Sequence, residues 1–166
     1  MILLHNYYQS KLLIIKKKKF INFIVLLLGV VLALTPFIIA PVCPAMANGM
    51  RMSCYYSGLF ATYVGIGIVI NSLISIFVNN KIVNIVLSVI NIIAGVCVHL
   101  IPNKIIKISV GMGKDGAPRF MGYCMKDTME CIKHHTFTIV SILGIAVSII
   151  SIMYLIYIFI SNYLFA

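Results

Sequence analysis

Four stretches of this chain carry no aspartate, glutamate, lysine or arginine: Phe20 to Val42, Ser57 to Val78, Ile82 to Ile101 and Phe137 to Tyr163. At 1.5 Å of rise per residue, about 20 residues cross a hydrocarbon core about 30 Å thick. Each stretch is near or above that length. Inside lipid no water bonds the backbone N–H and C=O groups, so each stretch is predicted to be a helix. The fold class follows: all-α, an integral membrane four-helix transmembrane bundle, with residues 1–166 forming a single membrane domain. Composition agrees. The chain is 62% hydrophobic with a mean hydropathy of +1.11, whereas a soluble domain is about half apolar.

The formal charge is +10, from 13 basic and 3 acidic residues. The bases flank the apolar spans, as lysines at a membrane edge do. The expected partner is therefore the lipid bilayer and not nucleic acid. The first span follows Lys16–Lys19, and "AMA" (Ala45–Ala47) resembles a small-residue cleavage site. Its apolar run exceeds the roughly 7–15 residues of a secretory signal, so it is expected to stay as a helix.

The connections are unequal. "NNK" (Asn79–Lys81) joins the second and third spans as a tight antiparallel hairpin. Residues 43–56 and 102–136 form the other two, and both are rich in sulfur: "CPAMANGMRMSC" (Cys43–Cys54) and "MGYCMKDTMEC" (Met121–Cys131). Two spans separate these clusters, so both emerge on one face of the membrane. Basic residues do not choose the face. Lys11, Lys16–Lys19 and Lys81 lie on one side, against Arg51, Lys104, Lys107, Lys114, Arg119, Lys126 and Lys133 on the other. The lysine block abutting the first helix and the one-sided cysteines decide it. The expectation is a multi-pass cell-membrane protein with both termini cytoplasmic and the Cys/Met loops extracytoplasmic.

Polar and small residues recur inside two spans. Asn84, Ser88, Asn91, Gly95 and His99 share one face of the third, and Ser141, Gly144, Ser148 and Ser151 one face of the fourth. Such stripes let helices approach closely and bond across the interface. His99 is the one ionisable side chain at depth, and it lies near a helix end, which argues against a proton-driven pump.

Cys43, Cys54, Cys124 and Cys131 face one side and allow three disulfide pairings. If Met121–His135 is helical, Met121, Cys124, Thr128, Cys131 and His135 form a stripe, with Cys124 and Cys131 about 10.5 Å apart along the axis. That exceeds the roughly 7 Å limit between bridged α-carbons, so each would pair with the first loop. If the segment is a loop, Cys43–Cys54 and Cys124–Cys131 become local alternatives. Cys97, inside the third span, reads as a buried thiol. Seven of the nine methionines also fall in the two loops: Met46, Met50, Met52, Met112, Met121, Met125 and Met129. Thiolates and thioethers select soft ions, Cu(I) above all, and His134 and His135 add imidazole. The candidate ligands are Cys43, Met46, Met52, Cys54, Cys124, Met129, Cys131 and His135, and copper is the cofactor the pattern suggests. No catalytic constellation accompanies them. The three acids, Asp115, Asp127 and Glu130, all sit in the last connection. "GMGKDG" (Gly111–Gly116) lacks the lysine spacing of a phosphate loop and reads as a turn.

The pattern "PVCPAM" followed by "MRMSCYYSG" resembles an uncharacterised membrane family, domain-of-unknown-function family 4418. Cys43, Met46, Met52, Cys54, Cys124, Met129 and Cys131 carry the resemblance, which covers most of the chain and its four-helix layout. The family brings no assigned activity. This chain has Tyr55 where members often show histidine, and its last connection is longer, with Lys104–Gly122 as the insertion. Three functions fit. The first is a non-enzymatic scaffold or transporter accessory subunit, its paired cysteines clasping the two loops. The second is a soft-metal binding or transfer protein. The third is a membrane thiol-disulfide oxidoreductase, which the missing Cys-x-x-Cys argues against.

Overall fold

The computed structural model describes residues 2–43, 51–78, 80–103, 105–112, 118–122 and 129–164, with backbone alone for 2–15, 112, 130 and 162–164. Helix α1 runs from Ile2 to Leu34, so it begins well before the apolar span. No proline or glycine interrupts Ile2–Lys19, and its leucines and lysines favour helix. The lysines therefore mark the edge of the apolar span and not the start of the helix. At Thr35–Ile39 the helix widens into a π-helical turn. Pro36 has no N–H to bond the carbonyl one turn back, a common cause of such a defect. Ala40 N reaches Thr35 O at 2.8 Å and Val42 N reaches Pro36 O at 2.9 Å. The Thr35 hydroxyl donates to Val31 O at 2.7 Å.

Helices α2 (Ser53–Phe77) and α3 (Lys81–Leu100) follow. Asn80 caps α3, its side-chain oxygen accepting from Ile82 N at 3.0 Å, which satisfies one of the unpaired first-turn donors. The long connection then forms an antiparallel hairpin, β1 (Ser109–Met112) and β2 (Pro118–Phe120). Ser109 pairs with Phe120 and Met112 with Pro118, with a bulge before Gly111. Gly111 has φ 129°, a conformation that suits glycine at a bulge. Gly111 and Met112 of the expected turn thus belong to a strand, and its remaining residues, 113–116, lie outside the described residues. The strands were not anticipated, because each is too short for a period-two pattern to stand out.

Helix α4 (Glu130–Lys133) precedes α5 (Thr136–Leu164). The break falls at His135, which takes φ 49°, a left-handed conformation rare outside glycine. A continuous helix from Met121 to His135 is not formed, since Met121 and Gly122 are non-helical.

The bundle packs most extensively along α1·α2 and α3·α5, while α1·α5 and α2·α3 close the ring. The α2–α3 hairpin is thus not the tightest pair. Small residues explain the choice. A Cβ on Gly65 would stand 2.7 Å from Ala33 N. One on Gly95 would meet the Gly144 carbonyl and the Ser148 hydroxyl, and one on Gly144 would stand 2.7 Å from Gly95 O. Without a hydrophobic drive between helices in lipid, such close backbone approach supplies the van der Waals attraction.

The two polar stripes are buried as expected from Asn84 through Gly95 and from Ser141 through Ser151. His99 is half-buried, its Nδ1 2.9 Å from Ser141 Oγ. Asn71 donates to Asn91 at 3.2 Å. Toward the Lys16–Lys19 end, Asn22 donates to Ser75 at 2.8 Å and to the Tyr154 hydroxyl at 3.3 Å. Ser75 in turn donates to Asn84, so one side chain from each long helix joins a single buried network. Between the ends, Leu32, Ala61, Ile68, Val98, Val140 and Val147 form the apolar core. The outward face is also apolar, with Phe77 79% and Ile82 72% exposed, the coat expected of a bundle in lipid. Lys16–Ile39, Ser53–Phe77, Lys81–Leu100 and Thr136–Ser161 are long and apolar enough to cross a membrane.

Candidate functional site

At the end of the bundle away from Lys16–Lys19, the chain gathers its sulfur. The π-helical turn ends just before Cys43. Cys54 stands in the first turn of α2, and Cys131 lies in α4. Their Sγ atoms all fall within 4.8 Å of one another, and Cys43 and Cys131 approach to 3.3 Å. All three residues are buried, at 5%, 1% and 2% exposure. Val42 and Phe137 complete the cluster, with Met52, Tyr55, Met129 and Ile132 packed against it.

Local sequence accounts for the convergence. Gly58 sits one turn into α2, where a Cβ would lie 2.9 Å from a Val42 methyl and 3.1 Å from Pro36 Cβ. Its missing side chain lets the segment leaving α1 lie against α2 and brings Cys43 toward Cys54. The Ser57 hydroxyl accompanies the Gly122 carbonyl at 3.5 Å, a long contact that places the last connection beside α2. The left-handed turn at His135 ends α4, so that Cys131 and Phe137 meet in one cluster. Tyr55 stacks edge-on against Phe37 with 5.7 Å between ring centroids. The Arg51 guanidinium lies 4.2 Å above the Tyr55 ring, within the range of a cation–π contact.

The separation of Cys43 and Cys131 is a contact and not the about 2.05 Å of a disulfide. Three sulfurs about 2.3 Å from one ion would stand roughly 3.8–4.0 Å apart. The observed spread brackets that spacing. Donor softness points the same way, since thiolate and thioether sulfur dominate and no carboxylate joins the group among the described residues.

The structure thus brings together Cys43, Cys54 and Cys131 with Met52 and Met129. His135 is exposed at its turn and does not join the buried cluster. Met46 and Cys124 lie outside the described residues. Cys97 is half-buried within α3, apart from the cluster. Phe137, Val42 and Gly58 were missed from the sequence. Only Gly58 left a signal there, a glycine one turn after the second cysteine. Thr136 has a buried hydroxyl with no hydrogen-bond partner among the described residues, for which we have no physical account.

The sequence profile of a family described as "Domain of unknown function (DUF4418)" matches residues 25–159. The chain belongs to this family. The matched region of DUF4418 takes in the last third of α1, all of α2 and α3, the hairpin and most of α5, and contains every cysteine of the cluster. No curated protein and no solved structure matches the chain. Cys43, Met52, Cys54, Met129 and Cys131 all fall within the matched region and converge at one end of this chain's helical bundle.

Proposed function

We propose that this membrane protein binds a soft metal ion of the Cu(I) type through Cys43, Cys54 and Cys131. One observation carries the reading: three buried sulfurs lie mutually within 4.8 Å. Binding would displace the thiol protons, since the thiolate is the ligand. Met52 and Met129 offer thioether sulfur beside the trio. The cysteine end faces the extracytoplasmic side, with Lys16–Lys19 held at the cytoplasmic surface.

The test is Cu(I) titration of the reduced protein in detergent under anaerobic conditions, against a competing chelator. One equivalent should bind. Cys54→Ser should weaken binding by more than the roughly 10–100-fold lost with a supporting contact. Absence of binding by the reduced wild type would end the proposal.

The approach of Cys43 to Cys131 supports a second reading. The protein would then be a non-enzymatic scaffold, or an accessory subunit of a transporter. A Cys43–Cys131 bond would clasp the end of α1 to the segment before α5. Non-reducing peptide mapping of freshly isolated protein tests it. A complete cross-link with no metal favours the clasp, and two reduced thiols reject it.

A further inference from the structure

The metal trio and the clasp share two atoms, Cys43 Sγ and Cys131 Sγ. Cys43 and Cys131 Sγ are 3.3 Å apart, so a bond of about 2.05 Å needs an approach of only about 1.2 Å. Cys54 lies within 4.8 Å of both, but its backbone is locked in the first turn of α2. Cys43 instead follows the π-helical turn in irregular backbone, and Cys131 sits in a four-residue helix. This close pair thus joins two short or irregular segments, while Cys54 is held in a long helix.

We propose that Cys43 and Cys131 are a peroxide-sensitive pair that switches the site between a metal-holding dithiol and a closed disulfide. This rests on the metal reading given above. Burial selects the oxidant. At 5% and 2% exposure, the two sulfurs exclude bulky disulfides, whereas hydrogen peroxide is little larger than water. The more exposed Cys43 thiolate attacks one peroxide oxygen, the O–O bond breaks, and hydroxide leaves with Cys43 as the sulfenic acid. The Cys131 thiolate then attacks Cys43 Sγ and displaces the second hydroxide. In the metal-free site the two thiol protons go to the two hydroxides; from the metal-bound thiolates, whose protons left on binding, solvent supplies them. In sum, two thiols and one peroxide give one disulfide and two waters. Closure removes two of the three thiolate ligands, so the ion is released. A small dithiol, reaching the sulfurs only during slow local opening of this end, reopens the pair and restores the site.

The experiment uses the full chain in detergent, reduced and desalted anaerobically, with Ag(I) as a probe that peroxide does not oxidise. Wild type and Cys54→Ser are each treated with peroxide, mapped by non-reducing peptide analysis and titrated with Ag(I). The expected result is a Cys43–Cys131 cross-link in both proteins. Wild type should lose at least tenfold in Ag(I) affinity on oxidation and regain it with dithiothreitol. Cys97 should remain a thiol throughout. A cross-link elsewhere, over-oxidation without any cross-link, or a Cys43–Cys131 cross-link that leaves Ag(I) binding unchanged would overturn the switch. If reduced wild type binds no Ag(I) yet Cys54→Ser still forms the cross-link, the metal reading fails while the oxidisable pair stands.

Discussion

Gly65 and Gly67 stand two residues apart on α2, and alanine at each should have opposite effects. A Cβ on Gly65 would lie 2.7 Å from Ala33 N and 2.9 Å from its Cα and Cβ. Carbon contacts settle at about 3.5–4.0 Å, so α1 and α2 must part locally by about an ångström. At Gly67 no atom of the described residues lies within 4 Å. Both substitutions gain the same helix propensity, up to about 1 kcal/mol, so their difference isolates the clash. Overpacking costs about 1–3 kcal/mol, and Gly65→Ala should be less stable than Gly67→Ala by that amount, roughly 5- to 150-fold in the folding equilibrium. The chain has no tryptophan, so SDS-titrated unfolding is best followed by pulse labelling of the reduced, buried Cys54 and Cys131 thiols. Equal midpoints for the two variants would refute the account of α1·α2 as a seam held by close backbone approach.

Other expectations follow from the same geometry. Asn84→Ala removes the acceptor of Ser75 and two backbone contacts, and should cost about 0.6–2 kcal/mol in the same titration. A Ser75→Ala, Asn84→Ala double-mutant cycle should show coupling between them. Arg51→Ala removes the cation on Tyr55, worth about 0.5–1 kcal/mol at an exposed site. It should speed labelling of Cys43 and Cys54 while lowering global stability by no more than that amount. Met129→Leu nearly conserves volume and should cost less than about 1.5 kcal/mol in stability. A fall in Cu(I) affinity beside unchanged stability would place its thioether on the ion.

How much was legible from the sequence depended on the physics behind each feature. Spans without charge announce themselves, because lipid tolerates no unsatisfied backbone, and the four helices fall where the apolar runs predict. The small-residue stripes were equally legible: Gly95, Gly144 and Ser148 meet where the three-and-four spacing put them. Helix ends were less so, since α1 continues to Ile2 through residues that mark a membrane edge without breaking a helix. The convergence of Cys43, Cys54 and Cys131 on one face followed from counting spans. Their mutual distance did not, because it depends on the widened turn at Pro36, the bare backbone at Gly58 and the left-handed His135. Tyr55 read as a lost imidazole, and its contact with Arg51 had no periodic signature to betray it.

The uneven packing of the ring has a mechanical consequence. Two stiff halves, α1 with α2 and α3 with α5, share a lighter boundary. Cys43 and Cys54 ride on one half, and Cys131 is carried by the segment leading into the other. Any rocking of the halves is thus felt as a change in sulfur spacing at the rim. A bound ion or a closed bond there would act as a latch on that motion.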